Sequence, residues 1–180
     1  MFLPPDHFQL FDLPPRFALD MAALDSAYRS VQGQVHPDRF AGGTAAEGRV
    51  AMQWATQANE AYRTLKSPLK RAAYLCEQAG VRIDAESNTS MPSEFLLQQL
   101  QWREALDDAG ASRDGAALLA LDDDTTAERG RLLGEIGRAL DVDADPARAA
   151  SLVRQLMFIE KLGTEIASVA ETLRDSRASA

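Results

Sequence analysis

The stretch that decides the fold is residues 20–65, which read DMAALDSAYRSVQGQVHPDRFAGGTAAEGRVAMQWATQANEAYRTL. In its first part, apolar residues recur at spacings of four, three and four, which places them on one face of an α-helix. These residues are Leu24, Tyr28, Val31 and Val35. The part from about Ala45 to Leu65 repeats the pattern with Val50, Trp54, Ala58, Ala61, Tyr62 and Leu65. Two amphipathic helices are predicted, with Asp20 as the N-cap of the first.

The segment between these helices is predicted to be a turn. It contains Pro37, which disfavours a helical backbone at His36, and Gly42 and Gly43, which loosen the path of the chain. The second helix is expected to end at Ser67-Pro68. The helices can then fold back as an antiparallel hairpin, whose open side needs an apolar cover. The residues expected to supply it are Phe8, Leu10, Phe11 and Leu13.

The composition is that of an all-α globular protein. Alternating apolar and polar residues are absent, and no apolar run is long enough to cross a bilayer. Acidic residues outnumber basic ones by 27 to 19, which argues against nucleic acid as a partner because phosphate groups would be repelled. The first residues lack the pattern of a signal or transit peptide, so we expect a cytoplasmic protein.

The single cysteine, Cys76, excludes an internal disulfide. With only two histidines in the chain, no zinc site of the usual spacing can be built. Because Cys76 lies in an apolar run, we expect a packed and unreactive thiol. No glycine-rich phosphate loop is present, and one cysteine cannot ligate an iron-sulfur cluster in the usual way. The chain is therefore expected to need no cofactor and to bind neither ATP nor a cluster.

A loop-like segment divides the chain. It predicts a linker over 79–92 between a first domain, 1–78, and a second domain, 93–176, followed by a short tail, 177–180. Three helices with short connections are expected in the second domain, which predicts an antiparallel three-helix bundle.

The helices of the second domain have recognisable start signals. Ser93 is predicted to cap the first, and Asp145-Pro146 to start the last. The middle helix spans about 112–140, and Asp122-Asp123-Asp124 within it is a place where the helix could be interrupted. A solvated helical turn is favoured there over a metal site, because no further ligand spacing accompanies the three aspartates. The last helix carries a repeating apolar seam typical of helix packing. Its members are Leu152, Leu156, Ile159, Gly163, Ile166, Ala170 and Leu173.

The helix over 95–108 has two apolar faces. At 100° per residue, Phe95, Trp102 and Leu106 form one stripe. A broad opposite sector holds Leu96, Leu97, Leu100, Gln101, Glu104 and Asp108. A helix packed on one side needs only one stripe, so the second sector is either buried by another element or docks a partner.

The tripeptide His36-Pro37-Asp38 lies in the turn, is followed by Arg39-Phe40, and precedes the segment Asn59-Glu60-Ala61-Tyr62 near the end of the second helix. In these features the sequence resembles the J domain. The resemblance implies that Asp38 engages a basic group on the ATPase domain of a DnaK-type chaperone and favours hydrolysis there. An enzyme that uses His36 as a base would need a nucleophile and a closed pocket, and the sequence identifies neither.

The stretches Phe8 to Pro14 and Leu65 to Leu75 are similar to the HscB family, the J-type co-chaperones of iron-sulfur cluster assembly, and the similarity covers nearly the whole chain. It implies two partners, an HscA-type chaperone and an IscU-type scaffold protein. The scaffold-binding residues that it implies are Leu96, Leu97, Leu100, Gln101, Glu104, Asp108 and Phe158. Gln101 replaces an expected acidic residue, which puts one charge contact in doubt.

The first hairpin helix departs from the usual J-domain pattern. Many J domains have a markedly basic second helix, whereas Arg29 is the only basic residue in this one. Docking of the chaperone is therefore expected to depend on Arg29, Arg39 and the tripeptide. Two other functions stay open: a general J-protein that delivers unfolded clients, and a helical adaptor whose tripeptide is accidental.

Overall fold

The computed structural model describes residues 6–35, 44–83 and 91–178. Within these ranges the chain forms α-helices and no strand, which confirms the predicted fold class. The helices are α1 (His7–Leu10), α2 (Met21–Val35), α3 (Ala45–Lys66), α4 (Pro68–Gln78), α5 (Ser93–Ser112), α6 (Gly115–Asp141) and α7 (Pro146–Ala178). None of them is long and apolar enough to cross a membrane.

The predicted hairpin is present as α2 and α3. Asp20 caps α2, because its carboxylate accepts the amide N–H groups of Ala22 and Ala23 at 2.9 and 3.3 Å. At the start of α3, Thr44 and Glu47 form a capping box in which each side chain accepts the other's backbone N–H. Hydrogen bonding to Thr44 lowers the pKa of Glu47. These caps fix where each hairpin helix begins.

One hydrophobic core belongs to the hairpin. Its fully buried members are Phe8, Phe11, Leu24, Ala61 and Leu65. The predicted cover is therefore real, since α1 and the residue after it insert two phenylalanines over the hairpin. Tyr74 and Leu75 of α4 also pack against this core.

A second core fills the space between α5, α6, α7 and α4. Leu132, Ile136, Leu156 and Leu162 are completely buried in it. The predicted seam of α7 faces this core, since Leu152, Leu156, Ile159 and Ile166 are buried and Leu173 packs against it. Ala72 and Cys76 of α4 belong to the same core. The second core therefore lies inside a three-helix bundle of α5, α6 and α7, against which α4 is packed.

Helix α4 takes part in both cores, and the sequence did not predict it as a separate helix. Ser67 is at once the C-cap of α3 and the N-cap of α4, where its side chain accepts the amide N–H of Lys70. Pro68 follows as the first residue of α4, a position that suits proline because it needs no N–H there. The predicted domain limits and the linker over 79–92, of which residues 84–90 lie outside the described ranges, stay a prediction.

Asp122-Asp123-Asp124 lies inside an uninterrupted α6, so the solvated helical turn is the correct alternative. The prediction that Ser93 caps α5 is wrong. The N-cap residue is Pro92, whose carbonyl accepts the amide N–H of Leu96 at 3.1 Å and which has no side-chain acceptor. The helix therefore starts one residue earlier than predicted, without a polar cap.

Candidate functional site: two docking surfaces

The first candidate surface is the turn end of the α2–α3 hairpin. The predicted chaperone-binding residues His36, Pro37, Asp38 and Arg39 lie outside the described residues. Arg29, the remaining member of that set, is exposed on α2. It is the only basic residue of α2, so α2 itself carries little positive charge.

Polar and aromatic contacts hold α2 against the C-terminal part of α3. Tyr28 stacks on Tyr62 with ring centroids 4.1 Å apart. The Tyr28 hydroxyl donates to Asn59 Oδ1 at 2.6 Å, and the same oxygen accepts from Gln32 at 2.8 Å. The Tyr62 hydroxyl donates to Asp25 Oδ1 at 2.7 Å. Asn59 and Tyr62 therefore link the two helices of the hairpin to each other.

The second candidate surface is on α5 and is called the leucine face. It consists of Leu96, Leu97, Leu100, Gln101, Glu104 and Asp108, which are all exposed. The opposite stripe is buried in the bundle, since Phe95, Trp102 and Leu106 are 6–7% exposed. Within the described part of the chain, no other element covers these leucines, which contradicts the alternative of burial. Three large apolar side chains in contact with water, next to carboxylates, are typical of a protein-docking site.

Phe158 of α7 contacts two side chains of α5. Its ring meets Phe95 edge to face at a centroid distance of 6.0 Å, and the guanidinium of Arg103 lies 5.7 Å from its centroid. Arg103 also pairs with Glu165 at 2.9 Å. Since Arg103 follows Leu96 and Leu100 by seven and three residues, these three side chains share one edge of α5. Phe158 is partly buried, and Arg103 is its contact on the edge of α5 that also holds Leu96 and Leu100.

Sequence reasoning did not single out Arg103, which joins Phe158 to the leucine face. The signal was its spacing of three residues from Leu100, which places it on the same edge of the helix. Met157, 36% exposed and adjacent to Phe158 along the chain, adds a further apolar group to this part of α7. The surface therefore spans two helices of the bundle.

Among the described residues there is no group of three or more histidine, cysteine or carboxylate side chains that could hold a metal ion. Cys76 is fully buried, and burial raises the pKa of its thiol to about 11. The thiol is therefore protonated at neutral pH, as expected of a packed structural cysteine.

Comparison with known proteins gives the family. A co-chaperone protein HscB homolog from Burkholderia multivorans is 56% identical over 167 residues, which are 93% of this chain and 95% of that protein. The chain belongs to the HscB family. A second HscB homolog, from Paraburkholderia xenovorans, is 52% identical over 169 residues, covering 94% of this chain and 96% of the relative. The family model described as "HSCB C-terminal oligomerisation domain" matches residues 91–167, which include the whole leucine face.

Solved HscB structures share the architecture. The chaperone HscB from Vibrio cholerae superposes with a TM-score of 0.87 at 38% identity, covering 93% of this chain and 99% of that chain. The human co-chaperone protein HscB superposes with a TM-score of 0.84 at 26% identity, covering 90% of this chain and 80% of that chain. The resemblance to the HscB family is therefore confirmed along almost the whole chain.

Proposed function

We propose that this HscB-family chain is a two-surface adaptor between an ATP-driven chaperone and an iron-sulfur scaffold protein. The hairpin, with His36, Pro37, Asp38, Arg39 and Arg29, recruits an HscA- or DnaK-type chaperone and stimulates its ATPase. The leucine face and Phe158 bind an IscU-type scaffold and deliver it to that chaperone. Cluster transfer to acceptor proteins is promoted in this way, in the cytoplasm, without a reaction catalysed by the chain itself.

The exposure of the leucine face is the observation that carries this proposal. Leu96, Leu97 and Leu100 are 46%, 64% and 57% exposed, although the same helix buries an aromatic stripe on its other side. A folded chain gains nothing from three neighbouring leucines in water, so their place on the surface is explained by a partner that covers them. Glu104 and Asp108 add negative charge at one edge and favour a partner with basic groups opposite.

The rigidity of the hairpin supports the chaperone-binding half of the proposal. A turn that presents a carboxylate binds a partner more tightly when its two ends are already fixed, because less conformational entropy is lost on binding. The Tyr28–Tyr62 stack and the hydrogen bonds of Asn59 fix α2 against α3, the two helices that flank the turn. The low charge of α2 means that the interaction depends on few side chains.

The test is ATP turnover by a purified HscA-type chaperone with wild type, Asp38→Asn, and Asp12→Asn as a matched control. Asp12 is exposed with a positive φ of 53°, a conformation that asparagine tolerates, so the control removes the same charge without backbone strain. We expect at least tenfold less stimulation by Asp38→Asn and none lost by Asp12→Asn. Equal stimulation by all three proteins would refute the role of the turn.

A second arm identifies the delivered partner. Stimulation is measured again with an IscU-type scaffold or with a denatured polypeptide added to the assay. A further increase with the scaffold alone supports the proposed function. An increase with the denatured polypeptide alone would instead indicate a general J-protein that delivers unfolded clients.

A further inference from the structure

The hairpin and the bundle are joined at a second place besides α4, near the C-terminal end of α6. There the carboxylate of Asp141 accepts two consecutive backbone N–H groups, that of Phe17 on Oδ1 and that of Ala18 on Oδ2, both at 2.7 Å. These residues precede α2, which begins at Met21, so their N–H groups have no partner within a helix. One side chain of the bundle thus fixes the entry to the hairpin.

The ring of Phe17 is fitted into the same place. A Cβ atom added at Gly137 would come within 3.1 Å of Phe17 Cδ1, so glycine is what lets the ring lie so close to α6. On its other side, the guanidinium of Arg71 lies 5.1 Å from the ring centroid. Arg71 is only 6% exposed and donates to the carbonyl of Leu65 at 2.6 Å, across the joint between α3 and α4.

The position of Asp141 is unfavourable for α6 itself. A carboxylate in the last turn of a helix faces the negative end of the helix dipole, which costs free energy. The two hydrogen bonds to the segment before α2 are the contacts that compensate for it. An aspartate at this position therefore serves the junction between the two units rather than the helix that carries it.

Helix α4 is the other link between the hairpin and the bundle. Helix α4 is anchored in the bundle core through Ala72 and Cys76, and it is connected to α3 through the single residue Ser67. The α1 segment and Tyr74 attach the hairpin to α4, but they lie on the hairpin's side of that helix. Contacts that reach from the hairpin unit to α6, such as those of Asp141, hold the two units together at a second place, away from α4.

We propose that Asp141 is a positioning residue that fixes the hairpin relative to the bundle, so that a scaffold bound at the leucine face is held in register with a chaperone bound at the turn. The proposal rests on the proposed function for its consequence, and on the Asp141 contacts for the geometry. It predicts that loss of these contacts leaves each docking surface intact while uncoupling one from the other.

The geometric test is a distance measurement by pulsed electron spin resonance on the full chain. Spin labels at Ser26→Cys and Asp107→Cys report on the hairpin and the bundle, since both positions are exposed, while Cys76 is fully buried and stays unlabelled. We expect Asp141→Asn to broaden the distance distribution at least twofold. The control is Asp143→Asn, which removes the same charge two residues later from ion pairs within the bundle, and which should leave the distribution unchanged.

The functional test uses the same two variants. With Asp141→Asn, stimulation of the chaperone without scaffold and the affinity for scaffold should stay within twofold of wild type. The extra stimulation that scaffold causes should fall at least threefold. Retained scaffold-dependent stimulation, or a distance distribution like that of Asp143→Asn, would overturn the proposal. If wild type itself fails to stimulate the chaperone, the proposed function fails, and the distance distribution alone decides whether Asp141 fixes the two units.

Discussion

The binding free energy that the proposed scaffold-docking surface contributes can be measured through two of its leucines one turn apart, Leu96 and Leu100. Fully burying a leucine side chain contributes about 1.5 to 3 kcal/mol. Leu96 is 46% exposed and Leu100 is 57% exposed, so a partner that covers both can still gain about half of that amount from each. The double replacement by alanine therefore removes about 1.5 to 3 kcal/mol of binding free energy, which weakens scaffold binding about 10- to 150-fold.

The assay is isothermal titration calorimetry of an IscU-type scaffold into wild type, Leu96→Ala/Leu100→Ala and Leu119→Ala. Leu119 is the matched control, because it is 69% exposed on α6, outside the leucine face, and undergoes the same change. The thermal unfolding midpoints of all three proteins should agree closely, since none of the replaced leucines is buried. An unchanged Kd for the double variant, with its fold intact, would refute the assignment of this face.

Two further predictions follow from groups whose pKa values are shifted by burial. Cys76 is buried, and its thiol pKa is raised to about 11. It should not react with a water-soluble disulfide reagent at pH 8 in the native protein, but it should react promptly in denaturant. Fast labelling of the native protein would contradict its burial. Burial lowers the pKa of His7, which stacks on Tyr74. Below pH about 6.5 the unfolded state therefore binds more protons than the folded state, and the free energy of unfolding falls as the pH drops from there through the lowered pKa of the folded protein. Urea unfolding at pH 5 and 7.5 should therefore show a smaller change in midpoint for His7→Gln than for wild type, and equal changes would be evidence against this linkage.

The sequence predicted those parts of the fold that depend on local periodicity. The apolar spacing in α2, α3 and α7 determines which side of each helix faces a core, and the structure buries Leu24, Leu65 and Leu156 accordingly. The first half of the predicted α3 face is an exception, since Val50 and Trp54 are 52% and 39% exposed. The two faces of α5 followed from the same helical geometry. Whether the second face was covered could not be read from α5 itself, because that depends on which other elements reach it.

The missed features depend on neighbours that are distant along the chain. Helix α4 carries apolar residues on two sides, which gives no single stripe, and its role became clear only when two cores were seen to share it. In the sequence, nothing distinguishes Asp141 from the other aspartates. Its partners are the N–H groups of Phe17 and Ala18, more than 120 residues earlier along the chain. Serine is a preferred N-cap residue, which is why Ser93 was predicted to cap α5. The N-cap is instead Pro92, which contributes only its backbone carbonyl.

The placement of α4 between the two cores has a consequence for how the protein loses its structure. Ala72 and Cys76 close one core, while Tyr74 and Leu75 pack against the other. If this short helix unfolded, both hydrophobic cores would be exposed to water at once. Neither core could separate from the other without leaving a gap in its own packing. The hairpin and the bundle are therefore expected to denature as one cooperative unit, although each has its own interior.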